Sequence, residues 1–239
     1  MSSPARIVVA GQFAPVGLEQ ALKDIFGDAT LARSKKRLVI PSYNLDENHV
    51  YLFKTPHHER LKRDWRVPMW KVARATSAAP TYFSAYRGVD SVRLIDGGVW
   101  ANNPCMVGVI EAVSMLDIPL EQISLLSMGT TDEVLAKPRR LDWGGLGVWA
   151  FHASDVILRA QAHGALTQAM HAIGKDKVLR IDPKVPQGLF KMDKLSTSEH
   201  LAKAAYWSRQ FAPEFERHFM SHHAPTFEPV HSRMKGDDK

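Results

Sequence analysis

A carboxylate followed by two glycines is the feature of this chain that could do chemistry. Asp96 follows the predicted strand at residues 91–95 and precedes Gly97 and Gly98. A solvated aspartate, with a pKa of about 3.9, is a weak base, but burial raises the pKa of a carboxyl group. Neither glycine carries a Cβ, so a backbone or a substrate can approach closely. Asp96 is therefore a candidate general base, and the alternative is an ordinary Asp-Gly turn.

Two other patterns suggest different chemistry and are weaker. Residues 145–150 (GLGVWA) fit a dinucleotide-binding pattern, but a loop rich in Arg and Pro precedes them where a strand is required. The pairs His57-His58 and His222-His223 lack carboxylate and histidine partners at helical spacing, so surface histidines are a better interpretation than a metal site. We therefore predict no cofactor and no metal.

Two longer segments extend the pattern around Asp96. They are residues 71–83 (KVARATSAAPTYF) and residues 93–104 (RLIDGGVWANNP). Together they resemble the patatin-like phospholipases, a family of lipid acyl hydrolases, and the resemblance covers residues 17–211, the later part of a patatin domain. It implies a Ser–Asp dyad in which Asp96 is the general base, Gly97 and Gly98 form the supporting turn, and fatty-acyl esters are the substrates. It also implies an α/β fold, a mostly parallel central sheet flanked by helices in a three-layer sandwich that is N-terminally incomplete.

The nucleophile that this family uses does not occur in the sequence. In the family a glycine-rich oxyanion loop and a G-x-S-x-G elbow precede the matching region, and the 95 residues before Asp96 contain neither. No G-x-S-x-G occurs anywhere in these 239 residues. Ser77 and Ser127 lie in family-like segments without flanking glycines, so we expect neither to be the nucleophile. We predict a chain that contributes the aspartate half of the site and is inactive alone, with an upstream segment supplying the serine. The alternatives are a non-catalytic lipid-binding or protein-interaction remnant and a truncated reading frame.

The elements that must position Asp96 alternate between strand and helix. The patterns predict helices over 18–26, 67–78, 104–116, 148–173 and 196–211, and strands over 6–10, 37–43, 49–54, 91–95, 123–128 and 177–181. The polar residues 44–48 predict a hairpin. The strand before Asp96 is expected to be parallel to its neighbours, since open α/β sheets carry functional groups at the carboxyl ends of such strands. We predict one domain over residues 1–215 and a tail over residues 216–239.

Composition and charge limit the partners. Hydrophobic residues make up 45% of the chain, and no run of about 18 apolar residues occurs, which excludes a spanning helix. The net charge is +6, with basic clusters at residues 33–37 and 60–63 that form either a solvated face or a peripheral contact with an anionic membrane. Aromatic residues are not interleaved with these clusters, so we predict no nucleic-acid partner. The single cysteine, Cys105, suits a reducing compartment and predicts a cytoplasmic location.

Overall fold

The chain forms two compact units. The computed structural model describes residues 14–130, 132–133, 138–150, 152–185 and 197–231. The first unit contains the described residues up to Asp117 together with those from Pro225 onward, and the second runs from Ile118 to Ala224. The single domain over residues 1–215 and the tail over residues 216–239 stay predictions.

The first unit is built on a three-stranded sheet with the order β2-β1-β3. Its strands are β1 (Val39–Asn44), β2 (His49–Lys54) and β3 (Leu94–Asp96). Strand β1 pairs antiparallel with both neighbours, and Ser42 lies opposite Asp96 in the β1–β3 register. This corrects the expectation of a parallel strand before Asp96. The reason is that β3 joins the free edge of a hairpin strand, not a strand that a helical crossover connects to it.

The predicted hairpin between β1 and β2 is confirmed, and its turn is encoded locally. The side-chain Oδ1 of Asn44 accepts a hydrogen bond of 2.9 Å from the backbone N–H of Asp46. Asn48 has a φ of 50°, a left-handed conformation that asparagine tolerates better than most residues. The turn is then fixed to the start of β3, because Arg93 donates from Nε to Oδ1 of Asp46 over 2.5 Å.

Helices cover the sheet of the first unit and complete its core. They are α1 (Pro15–Phe26), α2 (Met69–Thr76), α3 (Gly98–Ala101) and α4 (Cys105–Leu116). Val72 of α2 lies in one buried cluster with Phe53 of β2 and Leu94 of β3, and all three side chains are fully buried. Burying side chains of this size contributes about 1.5–3 kcal/mol each, so this cluster fixes α2 against the strands that lead to Asp96.

The second unit contains two pairs of parallel strands. They are β4 (Leu125–Met128) with β6 (Val178–Ile181), and β5 (Asp132–Glu133) with β7 (Lys184–Val185). Its helices are α5 (Leu146–Trp149), α6 (Ala153–Ile173) and α7 (Thr197–Phe219). A helix between two paired parallel strands is the defining arrangement of an α/β protein, so the predicted fold class is confirmed.

Two of the predicted helices differ markedly from those in the structure. The helix predicted over residues 148–173 is divided into α5 and α6. Helix α7 extends eight residues beyond the predicted end at Phe211, although Pro213 lies inside it and removes one backbone hydrogen bond. Aromatic pairs four residues apart support the continuation, with ring centroids 6.2 Å apart for Trp207 and Phe211 and 5.5 Å apart for Phe215 and Phe219. The predicted strand at residues 6–10 lies outside the described residues.

The α-helices of the described residues are between 4 and 23 residues long. None of them combines the length and the apolar character that crossing a membrane requires.

Candidate active site

Asp96 is the last residue of β3 and is held by backbone contacts on two sides. On one side it pairs with Ser42 across the sheet. On the other, its N–H donates a hydrogen bond of 3.0 Å to the carbonyl of Ala78, just beyond the end of α2. The two sequence segments that carry the family resemblance therefore meet at Asp96, one through Ala78 and the other through β3 itself.

Gly97 is required at its position because of space. Its φ is −66°, an ordinary helical value, so backbone conformation does not demand glycine there. A Cβ at this position would overlap with the carbonyl group of Pro41 in β1. That carbonyl is itself fixed, since it accepts a hydrogen bond of 2.7 Å from Oγ1 of Thr76. Gly97 thus lets the chain turn directly against β1 after Asp96.

Gly98 orients the carboxylate. Its backbone N–H donates a hydrogen bond of 2.6 Å to Oδ1 of Asp96. Gly98 also begins α3, so the bonded amide is one of the free N–H groups at the start of a helix. A Cβ on Gly98 would lie 3.0 Å from Oδ1 of Asp96, so the carboxylate would have to shift by a few tenths of an ångström. Both glycines of the predicted turn therefore have a structural role beside the carboxylate.

Burial makes the carboxyl group of Asp96 a weaker acid. The side chain is half-buried, and this desolvation raises its pKa above the ordinary value, while the hydrogen bond from Gly98 partly opposes the shift. No lysine or arginine among the described residues forms an ion pair with Asp96. Its second oxygen, Oδ2, has no hydrogen-bond partner among the residues that the structure describes. A carboxylate with a raised pKa and one open oxygen can accept a proton from a hydroxyl group that reaches it.

The hydroxyl groups of Ser42, Ser77 and Ser127 are all hydrogen-bonded. Ser42, opposite Asp96, is fully buried and donates a hydrogen bond of 2.7 Å to the carbonyl of Ile95. Ser77 donates to the carbonyl of Ala73 one helical turn back, over 2.6 Å. Ser127 lies in the second unit and accepts a hydrogen bond of 2.8 Å from Arg180. None of these serines has the exposed, strained turn that a nucleophile elbow provides.

Trp100 is a site residue that sequence reasoning missed. It lies in α3, and its indole Nε1 donates a hydrogen bond of 2.8 Å to the backbone carbonyl of Ser42. This bond fixes the helix that follows the glycine turn to the strand opposite Asp96. The sequence shows an aromatic hydrogen-bond donor four residues after Asp96. Its acceptor, the carbonyl of Ser42, is 58 positions away in the sequence, so the sequence did not reveal the contact.

His57 corrects a prediction, because it is buried and not at the surface. Its ring nitrogens contact Oγ1 of Thr55 at 2.8 Å and Oε1 of Glu111 at 2.9 Å. Lys54 donates to the other oxygen of Glu111 over 2.5 Å. Burial lowers the pKa of His57, and the contact with Glu111 partly opposes this. These four residues form a polar cluster that ties the loop after β2 to α4, the helix that follows the Asp96 turn.

Two concavities lie elsewhere in the described residues. In the second unit, a groove of about 560 Å³ follows one face of α7, with Lys203 toward one end and the apolar residues Phe211 and Phe215 toward the other. In the first unit, a concavity of about 410 Å³ lies between β2 and the loop at residues 60–64. Among the residues described, no group of histidine, cysteine and acidic side chains is arranged to hold a metal ion.

The comparisons with known proteins agree on patatin-like phospholipases. A family model described as patatin-like phospholipase matches residues 5–109, a range that includes the Asp96 turn. A cGAMP-activated phospholipase of Vibrio cholerae is 32% identical over 207 residues, which are 78% of this chain and 58% of that protein.

Two further relatives are similar to the chain over shorter stretches. A cGAMP-activated phospholipase of Pseudomonas aeruginosa is 30% identical over 174 residues, covering 70% of this chain and 50% of that protein. Patatin-like protein 6 of Arabidopsis thaliana is 29% identical over 168 residues, covering 65% and 33%. The chain spans about half the length of the two bacterial relatives.

Proposed function

The chain belongs to the patatin-like phospholipase family, and from this premise we propose that it contributes the aspartate half of a Ser–Asp site for acyl-ester hydrolysis. The observation that carries the proposal is the environment of Asp96. Its carboxylate is half-buried, has a raised pKa, forms one hydrogen bond to Gly98 and leaves Oδ2 open. The substrates would be fatty-acyl esters of lipids, hydrolysed without a metal.

In the proposed reaction Asp96 transfers protons in both half-reactions. Oδ2 accepts the serine hydroxyl proton as the serine oxygen attacks the acyl carbonyl carbon. The tetrahedral intermediate collapses to an acyl-serine, and the departing alcohol takes the proton from Asp96. Water then attacks the acyl-serine, gives a proton to Asp96, and releases the fatty acid as the proton returns to serine. A base whose pKa lies above that of a solvated aspartate is better suited to this work.

The serine would come from polypeptide outside the 239 residues. Three observations support this part of the proposal. No G-x-S-x-G elbow occurs in the sequence. The hydroxyl groups of Ser42, opposite Asp96, and of Ser77, next to the residue that Asp96 bonds to, are engaged with backbone carbonyls. The chain also spans only 58% of the Vibrio cholerae relative and 50% of the Pseudomonas aeruginosa relative. We therefore expect no ester hydrolysis by this chain alone.

Complementation tests the proposal. The 239-residue chain is coexpressed with a polypeptide carrying a patatin-like glycine-rich loop and G-x-S-x-G elbow, and turnover of a short-chain nitrophenyl ester is measured. We expect activity only when both parts are present and a loss of about 10²–10⁴-fold with Asp96→Asn. The matched control is Asp28→Asn, which changes an exposed carboxylate of the same unit and should retain activity. Turnover by the chain alone that disappears with Asp96→Asn would show that it contains its own nucleophile.

A second candidate function, non-catalytic lipid binding, is favoured by the groove along α7. The groove has a cationic group at one end and an aromatic face at the other, a match for an amphiphile. In this alternative the protein would be cytoplasmic and peripheral at an anionic membrane. Flotation with neutral and anionic liposomes, together with the complementation assay, separates the two candidates. A lipid-binding remnant would bind anionic liposomes in a salt-dependent way and would hydrolyse no ester in the complementation assay.

We also propose that a cyclic dinucleotide regulates the assembled enzyme. The relatives from Vibrio cholerae and Pseudomonas aeruginosa are named as cGAMP-activated phospholipases. Adding cGAMP to the complemented pair should increase ester turnover. Equal rates with and without cGAMP would remove this part of the proposal and leave the hydrolase part unchanged.

A further inference from the structure

The concavity between β2 and residues 60–64 is lined mainly by basic side chains. It measures about 410 Å³, within the range of small-ligand sites. Its polar lining residues are His49, Lys54, Arg60, Lys62, Arg63 and Asp64. All of them belong to the first unit, so the feature does not depend on the second.

Asp64, the acidic residue of the lining, and Glu111, which pairs with Lys54, are both engaged inside the protein. Asp64 is buried and accepts hydrogen bonds from Nε of Arg63 at 2.9 Å and from the Tyr51 hydroxyl at 3.1 Å. Glu111, behind the wall of the concavity, is bonded to Lys54 and His57. These carboxylates neutralise Lys54 and Arg63, and neither of them forms an ion pair with Arg60 or Lys62.

Arg60 and Lys62 carry the excess positive charge. Arg60 is exposed, and its Nη2 donates to the neutral carbonyl of Ser114 at 3.3 Å, at the end of α4. The ammonium group of Lys62 is exposed and has no acceptor among the described residues. His49 uses Nδ1 in a contact of 2.8 Å with the carbonyl of Val50, so its Nε2 remains open. The sequence cluster at residues 60–63 thus becomes one wall of a concave, positively charged site.

We propose that this concavity binds a small anion that carries a phosphate or phosphodiester group. An arginine fork and a lysine point charge are the side chains that proteins use for phosphate oxygens. Leu52 and Leu61 add apolar contact beside the cations, which suits an organic phosphate. The site would be the place where the proposed regulator acts. That role rests on the proposed function, whereas binding of the anion does not.

Anion binding should weaken the ion pair between Lys54 and Glu111. A phosphate oxygen in the concavity would compete with Glu111 for Nζ of Lys54, which now lies 2.5 Å from Oε2. Glu111 belongs to α4, which follows the Asp96 turn in the chain. Removing the charge of Glu111 would free Lys54 for the ligand, so Glu111→Gln should strengthen anion binding.

Calorimetry on the 239-residue chain tests the site without any need for hydrolysis. The probes are cGAMP, inorganic phosphate, and vesicles of phosphatidylcholine with phosphatidylserine. We expect soluble phosphate anions to bind, the double variant Arg60→Gln/Lys62→Gln to weaken binding at least about 10-fold, and Glu111→Gln to tighten it. The matched control is Lys35→Gln/Lys36→Gln, which removes two exposed charges from another part of the same unit and should leave binding unchanged.

The results show whether a nucleotide, free phosphate or a lipid surface binds, and they test the anion site separately from the hydrolase proposal. Tighter binding of cGAMP than of phosphate supports the site with a nucleotide as its ligand, and equal binding supports it with free phosphate. Vesicle binding without binding of either soluble anion overturns the proposal, as does equal weakening in the Lys35/Lys36 control. Because no turnover is measured, failure here leaves the hydrolase proposal standing, and failure of complementation leaves this site standing.

Discussion

Ser42 and Asp96 face each other across two antiparallel strands, and the hydroxyl of Ser42 is bonded to the carbonyl of Ile95, the residue before Asp96. The backbone carbonyl of Ser42 in turn accepts a hydrogen bond from Trp100. One buried residue of β1 therefore fixes both the strand that ends at Asp96 and the helix that follows it. The position of the candidate base is set by this pairing and by the glycine turn together.

Gly97→Ala should destabilise the first unit without changing any charge. The new Cβ would overlap with the carbonyl of Pro41, a backbone group that cannot move away easily. Overpacking of this kind costs about 1–3 kcal/mol, and urea unfolding measures it. The control is Gly108→Ala in α4, where a Cβ meets nothing within 4 Å and should stabilise the helix by about 0.5–1 kcal/mol. Equal stability of the two variants would mean that the turn is looser than the structure indicates.

Asp96→Asn should increase stability at neutral pH while it removes the proposed activity. Burial raises the pKa of Asp96 above its unfolded value of about 3.8, so the native state binds the proton more tightly. The stabilisation from this group is complete below that unfolded value and is lost as pH rises through the raised native pKa. Asparagine cannot ionise, and its side-chain oxygen can still accept from Gly98.

The measurement for Asp96 is a comparison of urea unfolding at pH 7 and near pH 3. Asp96→Asn should have a larger free energy of unfolding than the wild type at pH 7. This difference should vanish near pH 3. The other carboxylates titrate in both proteins and cancel in the difference. An advantage that is the same at both pH values would argue against a raised pKa at Asp96.

The Asp96 turn could be predicted from the sequence because its parts are contiguous. Asp96, Gly97 and Gly98 are adjacent, and the start of α4 is signalled by Asn103, whose Oδ1 accepts a hydrogen bond of 3.3 Å from the N–H of Cys105. Local residue types decide such features, so reading along the chain is sufficient.

The partners of these residues could not be predicted, since they come from distant positions. The antiparallel pairing places Ser42 opposite Asp96, and the burial of His57 depends on Glu111, 54 positions later. The basic concavity shows the same limit. Residues 60–63 were visible as a charge cluster, but their assembly with His49 and Lys54 follows from the hairpin. Spacing alone does not state which strands will pair.

Thr55→Val should destabilise the protein because two polar groups lose their partner. The hydroxyl of Thr55 accepts a hydrogen bond of 2.9 Å from the N–H of Leu38 and lies 2.8 Å from Nδ1 of His57. Valine has nearly the same shape, so the loss reflects hydrogen bonding, at about 1–3 kcal/mol for a buried group left unpaired. Thr55→Ser keeps the hydroxyl and should cost clearly less. If the two substitutions had equal costs in urea unfolding, packing would be the cause.

The buried histidine should make stability depend on pH below neutrality. Burial lowers the pKa of His57 below its ordinary value of 6.5, so the unfolded chain binds the proton more tightly than the native protein. The stabilisation is therefore complete above pH 6.5 and is lost as pH falls through the lowered native pKa. His57→Gln cannot take up this proton, and its unfolding free energy should fall less than that of the wild type between pH 7.5 and pH 5. His222→Gln, at an exposed histidine of the second unit, is the control and should keep the wild-type slope. A slope for His57→Gln as steep as that of the control would locate the pH dependence elsewhere and would leave the Thr55–His57–Glu111 cluster as a purely structural contact.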